Sequence, residues 1–156
     1  MNQHFNPADH HKINIVRAAS EIKHHASDIE NLLRQLTSQS VIFTEEDFQK
    51  IIESANCHLY LAIDPFFHNK IIGMVSMVLF RVPTALHARI EDLVVDQNYR
   101  GSGIGEKLML SAIDSAKNSG ARLLELTSNE QRIAANRLYH KLNFQLINTN
   151  VYRLYF

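Results

Sequence analysis

The chain has 156 residues, 46% of them apolar and 21% charged, with 16 basic and 16 acidic side chains and no formal net charge. That length suits one domain around one core, and the even charge excludes the broad basic face that nucleic acid or an anionic membrane surface selects. No apolar run approaches the roughly 20 residues that cross a bilayer, and the opening residues have no signal-peptide plan, so a cytoplasmic protein with no membrane and no nucleic-acid partner is expected.

Residues 1–12 are polar and patternless and read as a flexible tail, with residues 13–156 as a single domain. Ile13–Arg17 alternates weakly and predicts a first strand. Ser27 and Glu30 fit a capping box, and the stripe Ile29, Leu32, Leu33, Leu36 predicts a first helix near 27–38. Thr44 can cap a second helix bearing Phe48, Ile51 and Ile52, with Glu45, Glu46 and Asp47 suited to its positive end. Cys57–Asp64 and Lys70–Val82 read as a strand hairpin around Pro65 and Asn69. Ala88–Val95 is a fourth strand. A third helix follows, with Ile104, Leu108, Ala112 and Ala116 every fourth residue and Gly120 as a left-handed cap. Arg122–Thr127 is a fifth strand and Arg132–Leu142 a fourth helix, ended by Asn143, which tolerates the left-handed cap position. Leu146–Ile147 and Val151–Phe156 close the series as strands around an Asn148–Asn150 turn. The order is mixed α/β with one central sheet.

The single cysteine, Cys57, excludes an internal disulfide and reads as a small buried hydrophobe rather than a nucleophile. Nine histidines show no H-E-x-x-H or paired Cys/His spacing, so no metal site is expected and surface histidines are the reading.

The run from Leu93 to Gly105 carries the chemistry. An apolar strand, Leu93-Val94-Val95, stops; a glycine-spaced loop, Arg100-Gly101-Ser102-Gly103, follows; and a helix begins at Ile104-Gly105. A helix start offers unpaired N–H groups and the positive end of its dipole, and glycines keep side chains out of an anion's way. The run therefore reads as a pyrophosphate cradle. A P-loop would need lysine and a hydroxyl after the last glycine, where Glu106 and Lys107 stand, and a dinucleotide fingerprint would need the third glycine one residue later than Gly105. The pattern that fits is [Q/R]-x-x-G-x-[G/A], met by Arg100, Gly103 and Gly105.

This resembles the acyl-CoA signature of the GNAT superfamily of N-acyltransferases. A second segment, Ala135-Asn136-Arg137-Leu138-Tyr139 to Asn143-Phe144, is similar to that superfamily's A-x-x-[FL]-Y-x-x-x-G-F, with Asn143 in place of glycine, and Arg132 with Ala135 fits a variant found in small-amine acetyltransferases. The resemblance covers nearly all of the chain from Ile13. It implies a three-layer fold whose mostly antiparallel sheet splays between strands four and five, with helices on both faces. It implies acetyl-CoA as co-substrate, no metal, and direct transfer to the primary amine of a small molecule without a covalent enzyme intermediate. A protein N-terminal or lysine acetyltransferase and a non-catalytic acyl-CoA sensor are the alternatives, and a final strand could pair across a homodimer.

By the same resemblance the loop from Arg100 to Gly105 (Arg100, Gly101, Ser102, Gly103, Ile104, Gly105) holds the pyrophosphate. The edge of Leu93, Val94 and Val95 meets pantetheine, and a backbone N–H at Leu93 or Val94 meets the developing oxyanion. Asn129 and Arg132 at the fourth helix start, and Asn136 within it, are candidate cofactor contacts. The acceptor groove is expected from the first two helices and an Arg81–His87 loop. An alkylamine near pKa ~10.4 must lose a proton before it attacks. Glu91 and Asp92 are the acids on the strand leading to the acyl site. Ideal alternation sends them to opposite faces unless a bulge intervenes, and Glu91 is the favoured base, although it could instead pair with Arg89. Tyr139, the match to the family's helix-four tyrosine, is the candidate acid for the leaving thiolate.

Overall fold

A computed structural model of the protein describes residues 13–37 and 40–156. The predicted tail, 1–12, and the last residue of the predicted first helix lie outside that set. The described residues form two compact units, one reaching Leu126 and one running from Thr127 to Phe156.

The first unit holds β1 (Asn14–Arg17), α1 (Ala26–Leu36), α2 (Glu45–Glu53), β2 (Cys57–Asp64), β3 (Lys70–Val82), β4 (Ala85–Val95), α3 (Ile104–Asn118) and β5 (Leu123–Glu125). The strands make one sheet in sequence order; the first three pairings are antiparallel and β4–β5 is parallel. The fold is the mixed α/β, mostly antiparallel arrangement that the sequence predicts. Among the described residues β5 pairs with His87, Ala88 and Arg89 of β4, and the ladder ends there.

One sheet face packs on α1 and α2. Leu59, Leu61, Met74 and Val94 meet Ile29, Leu32 and Phe48 in a continuous core. Phe48 is wholly buried, which is worth about 1.5–3 kcal/mol for a side chain of its size. Thr44 holds α2 there: its hydroxyl accepts from Asp47 N–H at 3.1 Å, and Asp47 accepts from Thr44 N–H at 3.0 Å. The opposite face carries α3, whose buried stripe is Ile104, Leu108, Met109, Ala112 and Ala116. Gly73 lets α3 approach, since a Cβ there would stand 3.2 Å from Leu108 Cδ1 and 3.2 Å from the Val94 carbonyl oxygen. Across the same face His58 Nδ1 lies 2.9 Å from Ser115 Oγ, and burial lowers the His58 pKa.

Several boundaries differ from the sequence reading. A 3-10 turn over Ser20–His25 precedes α1, which starts at Ala26, so Ser27 lies inside the helix and caps nothing. Glu30 is drawn away from the expected capping box: its carboxylate accepts from Phe43 N–H at 3.3 Å and pairs with Arg34. β4 begins at Ala85, three residues early, because Arg81, Val82, Ala85, Leu86 and His87 all enter the β3–β4 ladder. The expected Arg81–His87 loop is therefore a tight turn over Pro83 and Thr84.

The second unit contains α4 (Ile133–Lys141), followed by Asn143 at φ 64°, the left-handed cap. Leu146–Ile147 and Val151–Phe156 are extended without strand pairing, and Leu146, Tyr152 and Phe156 are exposed. Two short strands around a turn have too little apolar contact to hold without a third strand beside them, and their unit supplies none among the described residues.

Candidate active site

The loop between β4 and α3 is tied at several points. Tyr99 O–H donates to the buried Asp64 carboxylate at 2.9 Å, joining the loop to the end of β2, and burial with that carboxylate pushes the phenol pKa well up. Asp96 accepts from Asn98 N–H at 2.9 Å and from Lys70 Nζ at 3.4 Å. Ser102 O–H donates to the Tyr99 carbonyl, and Arg100 Nε donates to the Val95 carbonyl at 3.0 Å. Gly101 and Gly103 both sit at φ 80°, and a Cβ on either would meet nothing within 4 Å. Gly103 is the N-cap of α3, with no side-chain cap, so Ile104 and Gly105 open the first turn at the positive end of the helix. The result is a backbone nest with open space on its glycine side and a positive helix end, which fits a pyrophosphate group. Leu93, Val94 and Val95 lead into it along β4, past the end of the β5 ladder.

β4 is irregular where it approaches this loop. Met74 pairs with Val94 and Ser76 with Glu91, so Val75 stands opposite two residues, Asp92 and Leu93. This is a β-bulge, and Asp92 takes φ 47° within it. Glu91, opposite Ser76, shares that residue's face, and the Asp92 carboxylate hydrogen-bonds to the Ser76 side chain. The bulge thus brings both acids to the α1/α2 face, where ideal alternation would separate them. Burial raises the Asp92 pKa, and Ser76 offsets part of that rise. The Cys57 thiol is pushed up by burial and by the Asp92 carboxylate, with Arg17 opposing. Arg89 does not turn to Glu91; it pairs with Glu125 on β5, its Nε donating at 2.9 Å.

In the second unit Tyr139 is buried on α4, edge-on to the Phe144 ring at 6.0 Å between centroids. Burial raises its pKa, and Arg132, seven residues earlier on the same helix face, opposes the rise. Asn129 Oδ1 accepts from Gln131 N–H at 2.8 Å, and Asn136 Nδ2 donates to the Asn129 carbonyl at 3.0 Å. These amides shape the turn into α4.

Residues 26–144 match the family model described as the Acetyltransferase (GNAT) family. The chain belongs to that family. Among curated GNAT relatives, an aminoalkylphosphonate N-acetyltransferase of Salmonella typhimurium is 34% identical over 89 residues, 54% of each chain. A glucosamine 6-phosphate N-acetyltransferase of Trypanosoma brucei brucei is 30% identical over 79 residues, 49% of this chain and 52% of the relative. The chain thus spans about half the length of these curated relatives. Among solved structures, an aminoglycoside acetyltransferase from an uncultured soil metagenomic sample superposes with a TM-score of 0.78 at 20% identity, covering 92% of this chain and 95% of that one. A Trypanosoma brucei acetyltransferase does so with a TM-score of 0.77 at 22% identity, covering 93% and 100%. Identities this low show the GNAT fold alone.

Within the first unit the GNAT signature residues fall together: Leu93–Val95 at the strand end, Arg100–Gly103 in the loop, Ile104 and Gly105 in the first turn of α3. In the second, Asn129, Arg132, Asn136 and Tyr139 cluster at α4 and the turn before it. The sequence reading missed Ser76. Its contact with Asp92 depends on a bulge, and bulges follow from cross-strand register rather than from a local pattern. Among the described residues no three His, Cys, Asp or Glu side chains converge in a metal-holding group.

Proposed function

We propose that the protein is a cytoplasmic N-acetyltransferase that moves an acetyl group from acetyl-CoA to the primary amine of a small molecule, without a covalent enzyme intermediate. The observation that carries this reading is the glycine nest at the α3 N-terminus, open where a Cβ would project and reached directly from the β4 segment Leu93–Val95. The named relatives add support, because their names describe acetylation of an aminoalkylphosphonate and of glucosamine 6-phosphate.

When bound, acetyl-CoA supplies an acyl group activated as a thioester. The backbone from Arg100 to Gly105 receives the pyrophosphate, and the Arg100 side chain adds charge at the loop. The β4 edge at Leu93, Val94 and Val95 receives the pantetheine amides, and an N–H at Leu93 or Val94 donates to the carbonyl oxygen as charge develops there. A β4 carboxylate takes the amine's proton. Tyr139 donates its phenol proton to the departing sulfur. Arg132, Asn129 and Asn136 serve the cofactor side of α4.

Release of free thiol from acetyl-CoA, followed against a panel of aminoalkylphosphonates, amino sugars, polyamines, amino acids and peptides, tests the proposal. Amine-dependent release with a small-molecule acceptor is the expected result. Release with peptides alone would transfer the reading to a protein acetyltransferase, and acetyl-CoA binding without release from any acceptor would make the chain a sensor.

A further inference from the structure

The bulge in β4 singles out one of the two candidate acids. We propose that Asp92, rather than Glu91, is the catalytic carboxylate that takes the acceptor amine's proton, and that Ser76 is the positioning residue that aims it. This rests on the acetyltransferase reading above.

The backbone at Asp92 is the first support. Asp92 adopts φ 47° in mid-strand, while the ladder is regular on either side, with Ser76 opposite Glu91 and Met74 opposite Val94. A non-glycine residue in the left-handed region costs roughly a hydrogen bond's worth of stability, and such outliers persist where the surrounding structure forces them, frequently beside active sites. Here the consequence is local and visible. The extra residue turns the Asp92 carboxylate onto the face already occupied by Glu91 and against the Ser76 hydroxyl on β3. The bulge also lies one residue before Leu93 and Val94, whose N–H groups are the proposed oxyanion donors. A base in that place stands beside the carbon that the amine must reach.

Glu91 has the same charge but not the same surroundings. It sits in the regular ladder and, although both side chains reach the surface, Glu91 has no hydrogen-bond or ion-pair partner among the described residues. Asp92 is held by Ser76, and burial raises its pKa. A higher carboxyl pKa narrows the gap to an alkylammonium near ~10.4 and makes proton transfer less uphill. Among the described residues, the Cys57 thiol of β2 feels the Asp92 carboxylate, Arg17 of β1 acts on that same thiol, and Glu91 shares the face from its own strand. From α1 and α2 the face receives apolar side chains, Ile29, Leu32 and Phe48. The step balances simply. The ammonium gives its proton to the Asp92 carboxylate, the freed nitrogen lone pair attacks the thioester carbonyl carbon, the C–S bond breaks as the nitrogen's second proton passes to the departing thiolate, and the carboxylic acid returns its own proton to water.

The test is the pH profile of kcat/KM on the full chain with the best amine of the panel, measured for the wild type and four variants. Asp92→Asn keeps the size of the side chain and its tolerance of the left-handed region. It should lower kcat/KM by about 10²-fold or more and abolish the acidic limb. Ser76→Ala should keep that limb and displace it to higher pH, because the hydrogen bond that lowers the Asp92 pKa is gone, and Ser76→Thr should restore it. Glu91→Gln should retain the limb and stay within a few-fold of wild type. A wild-type limb in Asp92→Asn, a limb lost in Glu91→Gln, or a limb unmoved in Ser76→Ala overturns the assignment. Calorimetry with acetyl-CoA shows which variants are folded, and if Asp92→Asn binds none, the Ser76→Ala displacement decides. A wild type silent on every amine overturns the acetyltransferase reading, and this assignment with it. Turnover with an unchanged Asp92→Asn profile overturns this assignment alone.

Discussion

Gly103→Ala separates what the glycine does for the fold from what it does for the ligand. Gly103 sits at φ 80°, and a Cβ built there meets nothing within 4 Å. The methyl group clashes with no neighbour, so its cost to the fold is the left-handed backbone alone, about 1–2 kcal/mol. In a domain of this size that lowers Tm by a few degrees, on the order of 2–8 °C. The same open space is where the pyrophosphate is proposed to lie. There the methyl group should hold the phosphates off the N–H groups of the α3 first turn and weaken acetyl-CoA binding by tenfold or more, at least ~1.4 kcal/mol. Gly120→Ala is the matched control. Gly120 has φ 75° and equally open surroundings, but it ends α3 instead of starting it. Calorimetry and thermal melting on both variants decide the matter. The two should lose similar stability, and only Gly103→Ala should lose affinity. Equal affinities in two folded variants would refute the cradle.

Tyr139→Phe keeps the ring and its contact with Phe144. Acetyl-CoA affinity should stay within a few-fold while kcat falls by roughly 10²-fold, and an unchanged kcat removes the acid role. Tyr99→Phe leaves the buried Asp64 carboxylate without its phenol donor, so a denaturant melt should show a loss of about 1–3 kcal/mol; a loss near zero would show that water replaces the hydroxyl. Gly73→Ala places a Cβ 3.2 Å from the Val94 backbone oxygen, which has little freedom to move, as well as 3.2 Å from Leu108. It should destabilise by about 1–3 kcal/mol, and an unchanged Tm would mean that α3 shifts without cost. His58 has a folded pKa below its ordinary 6.5 because burial disfavours the charged form. The unfolded chain then binds the proton more readily, so stability should hold above about pH 6.5 and fall as the pH drops through that value toward the lower folded pKa. His58→Gln should flatten that slope, and an equal slope in both proteins would assign it to other groups.

What the sequence revealed, and what it hid, divides along local and non-local physics. β2 and β3 were legible to the residue because Pro65 and Asn69 punctuate two long apolar runs, and α2 because Thr44 and Asp47 cap it with side chains three residues apart. The glycine loop was legible for the same reason, since positive φ at Gly101 and Gly103 is a property of single residues. The failures need partners distant in the chain. Glu30 leaves its expected cap for Phe43 and Arg34. The first three residues of β4 become strand only because β3 extends to meet them. The bulge at Asp92 follows from how β3 and β4 must register on both sides of Val75, which no alternation in β4 alone can show. At the carboxyl end, alternating apolar residues predict strands, yet a pattern supplies no ladder partner, and Val151–Phe156 has none among the described residues.

The central claim is that an acetyl group passes directly from the thioester to an amine. Mass spectrometry of a reaction run with carbon-13-labelled acetyl-CoA and the preferred amine tests it most directly. The account predicts that the label appears in an amide of that amine, in proportion to the thiol released, with none on the protein at any time. Label recovered as free acetate, or held on the protein during turnover, would contradict it.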